Sequence, residues 1–324
     1  MRVYIKAPAR LHLGILDLGG DLGRLFGGIG VAIDRPFVVV EAENSPQLTI
    51  QGEREEAVTD WIKVLSKKYN VAPTVALKVR SSIPQHVGLG SGTQLALATA
   101  TAAAKLLGIE ASVQELALTL GRGAVSGIGT TLFENGGFVV EAGVRSKKNK
   151  PIPSEDNSPQ PIFQKPFPDD WHFAVAIPQA KSGLSGEAEA KAFNELPPMS
   201  KKQAGDLSHL VLMSLLPALE EKDIETFGSS LTQIQEIVGD CFAGAQGGRF
   251  SSSPSSDCVN FMLNHGASGA GQSSWGPTVY GLVQGEEKAK KLASEVEGFL
   301  CRSVGGTVFW ASANNRGAYI KKTK

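Results

Sequence analysis

The chain has 324 residues, enough for one large domain or two of ordinary size. Its 32 basic and 32 acidic side chains give a formal net charge of zero, and no basic stripe carries interleaved aromatic residues, so we expect no nucleic-acid partner. No apolar run approaches the length of a membrane span and no signal-like segment precedes Lys6, so we expect a soluble, cytoplasmic protein with no membrane partner.

β-Strands are predicted at the start of the chain. Residues 3–13 and 31–43 are rich in β-branched side chains, and residues 75–80 alternate between branched apolar side chains and small or charged ones. Between the second and third of these strands an amphipathic helix is predicted, because apolar residues recur there at helical spacing: Val58, Trp61, Ile62, Leu65 and Tyr69.

Glycines recur through residues 14–30, interleaved with apolar residues and with Asp17, Asp21 and Arg24. This mixture predicts a tight loop that lines a pocket, with its charges turned towards a ligand. A β-hairpin with a flexible tip is the alternative interpretation.

A second glycine cluster joins the strand at 75–80 to an alanine-rich helix predicted over residues 95–107. It reads Pro84-Gln-His-Val-Gly-Leu-Gly-Ser-Gly-Thr-Gln94. Such glycines let the backbone approach an anion, and the free N–H groups at a helix start point into the loop. The pattern predicts a phosphate site, with a glycine-rich turn that holds no ligand as the alternative; the residues involved are Gly88, Gly90, Ser91, Gly92 and Thr93.

The remaining elements are less regular. A helix is predicted over 113–121 and a strand over 137–142, whereas prolines through 145–169 predict a long surface connection without regular structure. The elements predicted after it are a strand at 171–178, helices at about 200–219 and 222–237, a strand at 278–283, a helix through 289–299, and strands through Val308 and Ala318. Because strands and helices mix without a βαβ rhythm, the fold class is predicted to be α+β.

A third polar and glycine-rich cluster lies in residues 245–250 and 266–278. Its polar side chains suit phosphate oxygens or a polar rim of a pocket: Gln246, Arg249, Gln272, Ser273 and Ser274. Trp275 is interpreted either as a ring-stacking wall or as a core tryptophan beside a turn. The three cysteines and five histidines are scattered without ligand spacing, so we expect no protein-held zinc.

At these clusters the chain resembles the GHMP superfamily of small-molecule kinases. The superfamily's phosphate motif, Pro-x-x-x-Gly-Leu-Gly-Ser-Ser, corresponds to residues 84–92, with Gly92 in place of the second serine. The resemblance implies a two-lobed α+β fold with mixed or antiparallel sheets and packed helices. The lobes are expected at residues 1–165 and 166–324, with a nucleotide or diphosphate between them.

One departure from the kinases concerns catalysis. In many of them an aspartate follows Ser-Gly-Ile and acts as base for the substrate hydroxyl. Here Ser126-Gly-Ile128 is followed by Gly129, and no acidic residue lies between Glu115 and Glu134. The resemblance therefore does not extend to this carboxylate.

The chain resembles one branch of the superfamily more closely, the β-ribofuranosylaminobenzene 5′-phosphate synthases of tetrahydromethanopterin biosynthesis. The string Gln272-Ser-Ser-Trp-Gly-Pro277 is the most diagnostic, because ordinary kinases of the fold have plain glycines there. The resemblance implies a decarboxylating transferase that condenses phosphoribosyl diphosphate with an aminobenzoate or a hydroxybenzoate, releasing diphosphate and carbon dioxide.

The resemblance also implies roles for individual residues. Asp17, Asp21 and Arg24 are expected to be catalytic, with one aspartate stabilising positive charge at the anomeric carbon. Mg²⁺ is expected to arrive with the diphosphate and to meet Ser91 and Asp21. Phosphate and substrate binding is expected from the loop 88–93 and from dispersed side chains: Arg10, His12, Arg122, Ser126, Gln246, Arg249, Gln272, Ser273 and Ser274.

Two other functions remain open from the sequence. An ATP-dependent kinase of a sugar or small alcohol would consume ATP when given its acceptor. A ligand sensor on the same fold would bind nucleotide without turnover. The sequence also leaves the oligomeric state open, with a homodimer as one option.

Overall fold

The computed structural model describes residues 1–148, 150–152, 158–184 and 186–323. Its first two strands, β1 (Arg2–Asp17) and β2 (Arg24–Asn44), form a long antiparallel hairpin. Residues 14–30 therefore form a hairpin, as the alternative interpretation has it, and not a tight loop. Part of the first interpretation holds, because Gly14, Ile15, Phe26 and Gly27 line a cavity. The glycines serve packing: a Cβ at Gly30 or Gly28 would lie 2.4 or 2.9 Å from side-chain atoms of Ile128.

The strands form two sheets. Strand order is β13-β1-β2-β4-β3 along the larger sheet, with β5 and β6 also paired to β2, β8 to β5 and β7 to β6. The smaller, antiparallel sheet has the order β10-β11-β9-β12. The later strands are β3 (Thr49–Gly52), β4 (Val75–Ser81), β5 (Phe138–Glu141), β6 (Val144–Lys147), β7 (Lys150–Pro151), β8 (Pro161–Lys165), β9 (Trp171–Pro178), β10 (Gly269–Gln272), β11 (Val279–Gln284), β12 (Gly306–Ser312) and β13 (Tyr319–Thr323).

Helices pack against both sheets. The alanine-rich α2 lies on β1 and β2, where small side chains allow close approach, and α9 and α10 cover the smaller sheet. The helices are α1 (Glu55–Tyr69), α2 (Ser91–Leu107), α3 (Val113–Thr119), α4 (Ile128–Asn135), α5 (Glu187–Glu195), α6 (Lys201–Leu210), α7 (Leu216–Glu221), α8 (Ile224–Gln246), α9 (Ser253–Asn264) and α10 (Glu286–Cys301). The predicted α+β class is confirmed. Among the described residues, no helix combines the length and apolar character needed to cross a bilayer.

The proline-rich segment 145–169 contains regular structure, contrary to expectation. Strands β6, β7 and β8 lie in or next to it, although residues 149 and 153–157 are outside the described part of the chain. Pro151 and Pro161 stand at strand ends, where a missing N–H removes little from the ladder. The prediction was wrong because proline counts do not distinguish strand ends from loops.

Helix α8 contacts both sheets, and strand β13 extends the larger one. Strand β13 returns from the C-terminus to pair with β1, so the larger sheet contains both ends of the chain. Helix α8 packs against β10 of the smaller sheet and against β1 of the larger one. The lobe boundary near residue 165 stays a prediction. The candidate site described below lies at the junction of β1, α8 and β10.

Candidate active site

A cavity of about 340 Å³ lies at this junction. Its walls come from β1, the start of β2, the start of α2, residues 121–129, helices α5 and α8, and residues 272–275. We define two regions of the lining. The cationic region consists of Arg10, Gly90, Thr93 and Arg122, and the aromatic region consists of Phe26, Phe193, Phe242 and Trp275.

The predicted phosphate loop borders the cationic region. Helix α2 begins at Ser91, with Gly90 as its N-cap in the left-handed conformation (φ 79°). The first-turn N–H groups of this 17-residue helix therefore lack intrahelical partners and favour an anion. Gly90 and Thr93 line the cavity, whereas Gly88 of the loop and Ser91 and Gly92 of the first turn of α2 are not part of its lining.

Residues 272–278 lock the loop against β1. The Ser273 hydroxyl donates to the Gly88 carbonyl at 2.6 Å and accepts the His12 N–H at 2.9 Å. Arg10 Nη1 donates to the same Gly88 carbonyl. A Cβ at Gly88, which has φ +89°, would lie 2.2 Å from the Ser273 carbonyl oxygen, so only glycine fits this contact. Ser273 holds the loop in place, and its phosphate-binding role stays a prediction.

Glutamine side chains make the cavity wall rigid. Gln235 of α8 donates to the Leu13 carbonyl at 2.6 Å and accepts the Gln272 N–H at 2.8 Å. Gln272 donates in turn to Gln246 at 3.3 Å and to the Ser274 carbonyl at 3.0 Å. These bonds satisfy the buried amides and hold β1, α8 and β10 in one geometry.

The aromatic region forms one contiguous cluster. The rings of Phe242 and Trp275 meet edge to face with centroids 4.6 Å apart, and Phe193 lies 5.4 Å from Trp275. Phe26 adds a further edge-to-face contact with Phe193 at 5.3 Å. Trp275 is therefore both a buried core residue and a wall of the cavity, which unites the two interpretations from the sequence. A planar aromatic ligand finds complementary ring faces and edges here.

The cationic region has positive charge without a carboxylate bound to it. Burial lowers the pKa of Arg10 to about 10, and it also lowers the pKa of Arg122. Within the described residues neither guanidinium has an ion-pair partner within 4.0 Å, and the buried Nε of Arg122 has no hydrogen-bond partner. Both side chains remain strong donors for an anionic ligand.

Among the described residues, one carboxylate lies in the lining of this cavity. Glu189 of α5 is the acidic residue among the described residues of its lining, and its Oε1 accepts the indole N–H of Trp275 at 3.0 Å. Burial raises its pKa, while the Trp275 hydrogen bond and the charges of Arg10 and Arg122 oppose the rise. Sequence reasoning missed Glu189 because no motif surrounds it. The available signal was its spacing from Phe193, four residues along one helix face.

His12 lies inside the cavity as a neutral group. Burial, assisted by the charge of Arg10, lowers its pKa to about 3. A neutral imidazole offers a hydrogen bond without adding a third positive charge. His12 lines the cavity, and its substrate-binding role stays a prediction.

A second buried carboxyl supports the Ser126–Gly129 segment. Glu141 of β5 accepts the Gly127 N–H at 2.7 Å, and burial raises its pKa to about 7, opposed by hydrogen bonds from residues 126–128. Gly129 packs on α2, where an added Cβ would lie 3.1 Å from Thr93 Cγ2. Sequence reasoning missed Glu141 because packing of β5 against α4 brings it to a segment 14 residues earlier.

The residues predicted to be catalytic lie at the tip of the hairpin and outside the cavity lining. Asp17 Oδ1 accepts the N–H groups of Gly19 and Gly20 at 2.5 and 3.0 Å and so closes the turn. Arg24 donates to the carbonyls of residues 142 and 143, both at 2.8 Å. Asp21 is 3.8 Å from the ammonium group of Lys201. Their positions give no support to the catalytic roles, which stay predictions.

Other predicted residues divide between the lining and structural contacts. Ser126, Gln246, Gln272 and Ser274 line the cavity. Arg249 also lines it, but its guanidinium is bound to Asp240 at 2.8 Å and to Glu236 at 3.1 Å. The expected metal ligands Ser91 and Asp21 are both outside the lining, and the described part of the chain contains no group of three acidic, histidine or cysteine residues suited to a metal ion. These residues do not fit a protein-held magnesium.

A glycine-rich loop that precedes α2, in a fold of two sheets covered by helices, points to the class of this protein. The family model described as GHMP kinases N terminal domain matches residues 56–137, and the model described as GHMP kinases C terminal matches residues 215–300. The crystal structure of homoserine kinase from Cytophaga hutchinsonii superposes with a TM-score of 0.69 at 20% identity, over 99% of this chain and 97% of that one. That likeness concerns the fold alone, which is the GHMP kinase fold.

Curated relatives place the chain within the superfamily. The β-ribofuranosylphenol 5′-phosphate synthase of Methanothermobacter thermautotrophicus is 35% identical over 99% of both chains. The synthase of the same name from Methanocaldococcus jannaschii is 33% identical over 98% of this chain and 100% of the relative. The chain belongs to the family of β-ribofuranosylphenol 5′-phosphate synthases. The resemblance found in the sequence is thereby confirmed.

Proposed function

We propose that this enzyme transfers the ribose 5-phosphate unit of phosphoribosyl diphosphate to a ring carbon of 4-hydroxybenzoate, releasing diphosphate and carbon dioxide. One observation carries the proposal: a single cavity has two surfaces side by side. One surface, beside the predicted phosphate loop, has cations that lack carboxylate partners among the described residues, and the other is a cluster of aromatic side chains. A sugar diphosphate and an aryl acid require those two surfaces side by side.

The diphosphate suits the cationic region. N–H groups at the start of α2 and the guanidiniums of Arg10 and Arg122 are donors for phosphate oxygens in a partly buried site. These donors stabilise the negative charge that grows on diphosphate as it leaves. Magnesium is proposed to arrive bound to the diphosphate as part of the substrate, because no protein cluster for it exists among the described residues.

The aryl acid suits the aromatic region. Its ring would pack against Phe193, Phe242 and Trp275, which desolvate it and hold it in one orientation. The relatives are named for a ribofuranosylphenol, which favours 4-hydroxybenzoate over 4-aminobenzoate as the acceptor. A place in tetrahydromethanopterin biosynthesis is part of the same proposal.

The proposed reaction needs neither a base nor an oxidant, because each bond that breaks supplies its electron pair to a named atom. The bond from the anomeric carbon to diphosphate breaks, and its electron pair leaves on the diphosphate oxygen. The ring carbon that bears the carboxylate supplies a π pair to the anomeric carbon. The bond to the carboxylate then breaks, and its electron pair restores the aromatic ring as carbon dioxide leaves. No hydroxyl is activated, so a residue without a carboxylate, Gly129, is compatible with the reaction.

Labelled substrates test the proposal. The protein is incubated with phosphoribosyl diphosphate, magnesium and carboxyl-labelled 4-hydroxybenzoate or 4-aminobenzoate in separate reactions. We expect labelled carbon dioxide in step with diphosphate, faster from the hydroxybenzoate. Arg122→Gln should reduce the rate, whereas the control Arg80→Gln, at an exposed arginine paired with Glu41, should not. Absence of carbon dioxide together with ATP consumption driven by a sugar or alcohol would establish the kinase alternative.

A further inference from the structure

Glu189 stands where the two regions of the cavity meet. Its Oε1 is held by the indole N–H of Trp275 in the aromatic region, and its charge interacts with Arg10 and Arg122 in the cationic region. No element of the diphosphate chemistry described above uses this carboxylate. Glu189 is therefore a charged group in the cavity without an assigned role.

The two oxygens of Glu189 have different surroundings. Oε1 accepts the Trp275 hydrogen bond at 3.0 Å, while among the described residues Oε2 has no hydrogen-bond donor. No guanidinium lies within 4.0 Å of the carboxylate in the described part of the chain, so it is not neutralised by a direct ion pair. One oxygen is thus fixed by the protein, and the other is free to face a ligand.

We propose that Glu189 is a catalytic residue whose carboxylate faces the anomeric carbon and stabilises the positive charge that develops there. The inference rests on the proposed function, because it takes the diphosphate to lie in the cationic region and the aryl ring in the aromatic region. The anomeric carbon joins these two groups and so lies at their boundary, beside Glu189.

The negative charge of Glu189 should stabilise the transition state more than the bound substrate. As the bond to diphosphate breaks, positive charge appears on the ribose ring, and a fixed carboxylate in a partly desolvated cavity stabilises it. The same carboxylate repels the diphosphate anion of the bound substrate. Glu189 should therefore raise kcat without tightening phosphoribosyl diphosphate binding.

A role as base is not required of Glu189. The acid substrate enters ionised, the ring pair forms the new carbon–carbon bond, and loss of carbon dioxide restores aromaticity without transfer of a proton. What remains for a carboxylate is electrostatic stabilisation of the cation. Trp275 acts as a positioning residue, because its N–H fixes Oε1.

The variant Glu189→Gln removes the negative charge of the side chain and keeps nearly the same shape. The amide oxygen can still accept the Trp275 N–H, but the negative charge is gone. We expect kcat to fall on the order of 10²-fold, with KM for phosphoribosyl diphosphate unchanged or lower. Glu195→Gln is the matched control on the same helix, because Glu195 is exposed and only 3.8 Å from Lys191 in a weak surface pair.

Glu189→Asp and an isotope effect complete the test. Asp keeps the charge at a shorter reach, so this variant should retain more turnover than Gln, and circular dichroism should show both to be folded. Deuterium at the anomeric hydrogen should slow the wild-type reaction through a secondary isotope effect. Turnover of Glu189→Gln equal to that of Glu195→Gln or of Glu189→Asp overturns the role of Glu189 while leaving the proposed function intact. Absence of labelled carbon dioxide from the wild-type protein overturns the proposed function, and this inference with it.

Discussion

Gly88→Ala tests how the phosphate loop is held. Gly88 has φ +89°, and an added Cβ would lie 2.2 Å from the backbone carbonyl oxygen of Ser273. Gly108 caps the other end of α2 with φ +70°, and nothing lies within 4 Å of the place its Cβ would take. Alanine at either position introduces left-handed strain of about 1–2 kcal/mol, but only Gly88→Ala adds a clash with backbone.

The clash determines how far Gly88→Ala and Gly108→Ala differ in stability and in diphosphate affinity. A backbone carbonyl oxygen cannot rotate away as a side chain would. The phosphate loop must therefore move away from residues 272–278. Such overpacking costs typically about 1–3 kcal/mol beyond the backbone strain. Movement also weakens the bonds that the Gly88 carbonyl accepts from Arg10 and Ser273. The N–H groups at the start of α2 then lose their alignment, and each 1.4 kcal/mol of lost binding energy weakens diphosphate affinity about tenfold.

Two measurements check this prediction. Urea unfolding gives the free energy of unfolding of both variants, and Gly88→Ala should be the less stable by about 1–3 kcal/mol. Calorimetric titration with magnesium diphosphate should show at least about tenfold weaker binding to Gly88→Ala and nearly normal binding to Gly108→Ala. Equal stability and equal affinity of the two variants would refute the close contact between the loop and residues 272–278.

Three further predictions concern other parts of the site. Because burial raises the pKa of Glu141 from 4.5 to about 7, the folded protein binds more protons than the unfolded chain in that range. Its contribution to the free energy of unfolding should therefore fall as pH rises from about 4.5 to about 7, and urea unfolding at pH 5 and 8 should show a smaller fall in Glu141→Gln. The pKa of about 3 for His12 predicts that its ring proton resonance does not titrate between pH 8 and 5, whereas titration near pH 6.5 would contradict a buried neutral ring. Phe193→Ala should raise KM for the aryl acid at least about tenfold more than KM for phosphoribosyl diphosphate, and an equal rise in both would contradict an aryl site at the aromatic region.

The sequence by itself determined the features that depend on neighbouring residues. Alternating apolar residues predicted β4, and the strand at 171–178 coincides with β9. The phosphate loop was recognisable because its glycines, its hydroxyls and the helix they precede all lie within about a dozen residues of chain. The family was recognisable for the same reason, since its diagnostic strings are contiguous.

Only the tertiary structure decided which side chains share the cavity. Residues 14–30 read locally as a loop, but pairing of β1 with β2 and packing of Ile128 on the glycines make them a hairpin. Of its charged residues, Asp17 closes the turn, Arg24 binds backbone carbonyls of residues 142 and 143, and Asp21 lies near Lys201. A turn's composition does not reveal which surface the turn will face, because that depends on sheet pairing far along the chain.

The contacts of the carboxylates Glu141 and Glu189 also could not be predicted from the sequence. Glu141 meets Gly127 because β5 packs against the preceding helix α4, and Glu189 reaches Trp275 across 86 residues of chain. Neither carboxylate lies in a sequence motif, because a single hydrogen bond from one element to another leaves no spacing pattern in the sequence. The sequence therefore predicted a phosphate site and the loop that would form it, whereas packing between elements decided which carboxylate lies in the cavity lining.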